Sequence, residues 1–119
     1  MISIILDDAK VVAGDRISGH VTYVTTEQTL PKTAKVELVW RTEGRGTKEH
    51  EIVRSLTLSP TEFSTGSAIP FAFQTPYEGP ITYNGSLLRI IWEIKTTVTL
   101  PGLRVKKDEL AYPFSVICR

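Results

Sequence analysis

Residues Leu88 to Leu100 read LRIIWEIKTTVTL. The even positions are Leu88, Ile90, Trp92, Ile94, Thr96, Val98 and Leu100, apolar but for one threonine. The odd positions are Arg89, Ile91, Glu93, Lys95, Thr97 and Thr99, polar but for one isoleucine. Side chains of an extended chain point alternately to opposite faces, so a period of two marks a strand with one dry and one wet face. The stretch is predicted to be a long central strand of a layered sheet protein, with Trp92 in the interior.

Working outward, the same period recurs. Ile2 to Leu6 forms a short first strand ended by Asp7 and Asp8, and Gly14-Asp15 marks a turn. In Arg16 to Thr25, Ile17, Gly19, Val21 and Tyr23 share one face. Lys35 to Glu43 puts Val36, Leu38 and Trp40 inward, with Lys35, Glu37, Val39 and Arg41 outward. Gly44 and Gly46 suit a hairpin tip, and the return strand is Lys48 to Ser59. There Arg54 shares parity with Ile52, Leu56 and Leu58, a conflict that either a bulge or an edge position resolves. Ala68 to Gln74 is a strand presenting Phe71 and Phe73 together, followed by a Pro/Gly-rich loop from Thr75 to Gly85. After Pro101-Gly102, Leu103 to Lys106 is a short strand and Tyr112 to Cys118 the last.

Composition agrees with this. Val, Ile and Thr together supply 36 of 119 residues against 6 Ala, and such side chains favour a pleated surface over a helix. The predicted fold is all-β, an immunoglobulin-like β-sandwich of seven or eight mostly antiparallel strands forming one domain over residues 1–119. An OB-fold or small barrel is the structural alternative, though five or six strands would suit those better.

Charge and chemistry narrow the function. A formal net charge of +1 implies no polycationic surface for nucleic acid. No window is long and apolar enough for a membrane span, and the start has no signal-peptide pattern. The single cysteine, Cys118, suits a reducing compartment, so the expected location is cytoplasmic. His50-Glu51 opens like a zinc motif, but Arg54 stands where the second histidine is needed. His20 lies on the polar face of its strand. Asp7, Asp8 and Asp15 lack calcium-loop spacing, and the Gly44 to Lys48 stretch lacks phosphate-loop spacing. No nucleophile elbow is present. No catalytic residue, metal or cofactor is expected. Candidate partner-binding residues are Arg54 on the hairpin, Tyr77 and Tyr83 in the 75–85 loop, and the basic group Arg104, Lys106 and Lys107.

Four stretches carry a resemblance. AGDRISGHV (Ala13 to Val21), KVELVW (Lys35 to Trp40), IPFAF (Ile69 to Phe73) and TYNGSLLRIIWEIKTTVTLPG (Thr82 to Gly102) occur in the order of an arrestin amino-terminal domain. The last is the most specific, through Tyr83, Gly85, Ile90, Trp92, Ile94 and Val98. The chain thus resembles the arrestin superfamily, including the α-arrestin, Vps26-type and bacterial sporulation-control relatives. The resemblance implies a non-enzymatic adaptor or scaffold that holds protein partners in signalling or trafficking. Members usually carry two sandwiches, and this chain covers one. The paired lysines of phosphate-sensing arrestins have no counterpart around Ile2 to Asp8, so phosphoreceptor recognition is not carried over. The alternative reading is a small-ligand or carbohydrate-binding sandwich that uses the 75–85 loop. A homo-oligomer through an uncovered edge strand is a further expectation.

Overall fold

The computed structural model describes residues 2–23, 33–44, 49–58, 68–78, 80–84, 88–100 and 106–118. Among them are nine strands and no helix: β1 (Ile2–Leu6), β2 (Lys10–Val12), β3 (Arg16–Tyr23), β4 (Thr33–Gly44), β5 (His50–Leu58), β6 (Ala68–Gln74), β7 (Tyr83–Asn84), β8 (Leu88–Leu100) and β9 (Lys106–Ile117). No helix of the described residues is long and apolar enough to cross a membrane.

The strands form two sheets. The smaller runs β1-β3-β6, antiparallel throughout. The larger runs β2-β9-β8-β4-β5, with β7 pairing the start of β8. β8 is central, paired along Trp92 to Leu100 with β9 and along Leu88 to Thr99 with β4. The larger sheet curls into an open half-barrel facing the smaller one, a sandwich-like layering and not a closed immunoglobulin barrel.

The interior is the dry face of each strand, as the alternation implies. Ile17, Val21 and Tyr23 of β3 and Phe71 and Phe73 of β6 meet Val36 and Leu38 of β4 and Trp92, Ile94 and Val98 of β8. Trp92 is 1% exposed. Its ring packs on Phe114 with centroids 6.4 Å apart, and its indole Nε1–H donates to the Pro80 carbonyl at 3.0 Å. A buried indole needs that acceptor, and the proline-rich loop supplies it.

Two glycines have structural duties. Gly14 has a φ of 93°, which closes the turn in which the Asp15 N–H donates to the Val12 carbonyl. Thr75 then ties the turn to the end of β6, since its hydroxyl accepts the Gly14 N–H at 3.0 Å and donates to the Asp15 carbonyl at 2.5 Å. At Gly19 a Cβ would stand 2.2 Å from the Ile5 carbonyl oxygen, so only glycine lets β1 lie this close to β3.

Several sequence expectations need correction. Among the described residues the strands number nine, the two-residue β7 included, against the seven or eight expected. β2 was not foreseen; its three residues are too few to alternate, and it pairs parallel with the end of β9. β9 is one continuous strand where a separate short strand and Tyr112 to Cys118 were expected. Its Asp108, near the start, accepts the Tyr23 hydroxyl at 3.2 Å, and Pro113 lies where the strand's other edge is beyond the reach of β2. Tyr83-Asn84 is a short strand within the expected loop. Of the expected strand Arg16 to Thr25, Arg16 to Tyr23 is strand, and Val24 and Thr25 lie outside the described residues. The hairpin tip from Arg45 to Lys48, the loop around Pro31, Pro60, the Pro101-Gly102 turn and Leu103 to Val105 lie outside the described residues.

The Arg54 conflict has both proposed resolutions. β5 is the outer strand of its sheet, and its register against β4 slips between Leu38 and Val39, leaving Val53 as the extra residue. Leu38 faces Arg54 while Val39 faces Ile52. The bulge lets Val53 pack against the core and sends Ile52 to the other face.

Candidate functional site

The outer face of β5-β4-β8-β9, away from the smaller sheet, is the part of the molecule that alternation described least well. Glu37, Val39 and Arg41 were expected to point outward into water. Glu37 and Val39 are instead buried, as are Glu93 and Thr97 on the neighbouring β8. None of these four belongs to the core cluster. They form a second buried layer, on the far side of the sheet from the first.

Cross-strand register builds that layer in rows. His50, Arg41 and Ile91 stand side by side, then Ile52, Val39, Glu93 and Pro113, then Ser55, Glu37, Lys95 and Ala111, then Thr57, Lys35, Thr97 and Glu109. Two adjoining cavities open on these rows, each of about 500 Å³. The first holds Val39, Ile52 and Trp40 as apolar lining, with Glu37, Glu43, Glu49, Glu93, Arg41, Lys95 and His50 around them. The second shares Glu37, Ile52 and Lys95 and adds Lys35, Lys107 and Glu109 among its charged lining.

Most of the charged groups are already matched. Arg41 donates from Nε to Glu93 at 2.7 Å and from Nη1 to Glu43 at 2.5 Å. Those carboxylates, Glu43 first and then Glu93, hold the Arg41 guanidinium above the ordinary arginine range. Arg89 reaches Glu43 at 3.5 Å, and Lys95 reaches Glu109 at 3.1 Å. At the rim the Trp40 indole donates to Glu51 at 3.2 Å. Glu37 differs: at 4% exposure, its one ion-pair contact among the described residues is with Lys35 Nζ at 3.8 Å, beyond hydrogen-bond reach.

The residues singled out from sequence do not converge here. Arg54 is exposed on β5, where its guanidinium donates to the Val53 carbonyl. Tyr77, in the loop after β6, is 71% exposed, and Tyr83, on β7, is 54% exposed. None of these three lines either cavity. Lys106 opens β9, and Lys107 is exposed and lines the second cavity. Arg104 lies outside the described residues. His50 lines the first cavity, while His20 is exposed on β3 in the other sheet. Among the described residues no group of three or more His, Cys, Asp or Glu side chains is placed to hold a metal ion.

The fold and this groove define a two-sheet β-sandwich whose larger sheet is lined on both faces. The same fold is found in the crystal structure of Spo0M, a sporulation control protein from Bacillus subtilis, with a TM-score of 0.68 at 17% sequence identity. The match covers 97% of this chain and 48% of that one, so the chain spans about half the length of Spo0M. At that identity the likeness is one of fold. No family model matches the sequence, and no curated protein does.

Proposed function

We propose that this chain is a non-enzymatic interaction module of arrestin-like type, an adaptor or scaffold that holds a protein partner in the cytoplasm. One observation carries the reading: β5 is an edge strand that leaves apolar side chains in water. It pairs with β4 on one side only among the described residues, and Ile52 is 53% exposed with Leu56 also exposed. Edge strands with open backbone groups pair readily with an added chain, and proteins usually blunt them with charge or proline. The fold shared with Spo0M and the Thr82 to Gly102 resemblance favour the same class of role. The 75–85 loop offers exposed tyrosines but lines neither cavity, which gives the small-ligand alternative less to stand on.

A photo-crosslinking amino acid placed at Ile52, with His20 on the other sheet as control, tests the proposal in extract of the native host. Reproducible protein adducts at position 52 and not at 20 are expected. Equal labelling at both positions, or turnover of a substrate by the purified chain, overturns it.

A further inference from the structure

Among the described residues no group donates a hydrogen bond to the Glu37 carboxylate. It is buried on the outer face and lines both cavities; among the described residues its ion-pair contact is Lys35 at 3.8 Å, and Lys95 stands beside it across the ladder with its ammonium turned to Glu109. Burying an ionised carboxylate is costly unless hydrogen bonds replace the lost water. The first cavity shows the same deficit: its described lining has four carboxylates, Glu37, Glu43, Glu49 and Glu93, against the two cations Arg41 and Lys95. Both cations are already engaged, Arg41 by Glu43 and Glu93 and Lys95 by Glu109. The cavity therefore has negative charge to spare beside an apolar wall of Val39 and Ile52.

We propose that this groove receives a basic side chain of an extended peptide paired along the free edge of β5, with Glu37 accepting from its guanidinium or ammonium group. The inference rests on the interaction-module reading and specifies its partner. Strands in a sheet lie about 4.8 Å apart, so an added strand beside β5 stands roughly 10 Å from β4. An arginine and a glutamate side chain reaching toward each other cover that distance. The aliphatic stem of the incoming residue crosses Ile52, the exposed apolar side chain between the edge and the cavity. The apolar wall, the excess of carboxylates and the open edge together suit a basic peptide.

Amide chemical-shift titration of the purified chain tests this with three probes: a blocked eight-residue peptide alternating valine and arginine, its counterpart with glutamate for arginine, and spermidine. The arginine peptide is expected to shift the β5 amides and the Trp40 indole. Its affinity should fall about tenfold or more in Glu37→Gln, the loss expected for a charge-assisted hydrogen bond. Ile52→Lys, at an exposed rim position, should weaken it similarly, and retained burial of Trp92 checks that both variants are folded. Equal binding of the glutamate peptide, unchanged affinity in Glu37→Gln, or full competition by spermidine at the same affinity overturns the proposal. Edge shifts that grow with chain concentration and no peptide also overturn it, because a second copy then occupies β5. Failure here leaves crosslinking at position 52 to stand or fall by itself, since that experiment reads any partner regardless of charge.

Discussion

Leu38 and Val39 are neighbours in β4, and both are buried, yet they belong to different parts of the molecule. Leu38 meets Ile94 across the ladder and joins the apolar interior. Val39 meets Glu93 and joins a layer with Glu37, Arg41 and Lys95, outside the core. On the first face nearly every side chain is hydrocarbon and water is excluded by the opposite sheet. On the second, ion pairs and an open groove surround a small apolar strip. One face holds the fold together, and the other carries the groove to which the proposed partner is assigned. Burial alone does not separate these roles; the chemistry of the lining does.

Mutations sharpen that contrast. The largest effect is expected for Trp92→Ala, which removes the biggest core side chain and strands the Pro80 carbonyl; a loss of about 3–5 kcal/mol in denaturant unfolding is expected. Leu38→Ala should cost about 2–4 kcal/mol, whereas Val39→Ala, one residue along, should cost about 1 kcal/mol because its wall can open to water. Equal costs in that pair would erase the distinction between the faces. Within the core face, Thr96 is the exception, a buried hydroxyl with no hydrogen-bond partner among the described residues. Thr96→Val keeps the shape and removes that unpaired group, so a gain of about 1 kcal/mol is expected by the same measurement. On the outer face, Glu43→Gln withdraws a partner from both Arg41 and Arg89. These partly exposed pairs are worth under about 1 kcal/mol, and the loss should vanish as salt is raised.

The fold was legible where one face of a strand is uniformly apolar. β1, β6 and β8 have the bounds expected from alternation, because Phe71 and Phe73, or Trp92, Ile94 and Val98, leave no second way to orient the strand. Legibility failed where tertiary partners decide the outcome. β2 exists because β9 runs alongside it, and the continuity of β9 through Asp108 and Pro113 depends on Tyr23 and on an open edge. The bulge at Val53 was visible only as a conflict at Arg54. The groove was the least visible feature. Alternation separates two faces but carries no information on sheet curl, so Glu37, Glu93 and Thr97 read as a wet surface. The available signals were Val39 and Ile91, apolar residues among the outward positions of β4 and β8. Exposed tyrosines and scattered basic residues attracted attention instead, and the fold places Tyr77 in the loop, Arg54 on β5, Tyr83 on β7 and Lys106 and Lys107 on β9.

Thiol reactivity along β8 tests the two-faced sheet most directly. In a Cys118→Ser background, single variants Arg89→Cys, Glu93→Cys, Ile94→Cys and Lys95→Cys are treated with a bulky thiol reagent under native conditions. Position 94 should stay unreactive, 89 and 95 should react readily, and 93 should react slowly with the bulky reagent and faster with a small one. Reaction at 93 as rapid as at 89 would show the outer face to be an open plane, and reaction at 94 would contradict the sandwich itself.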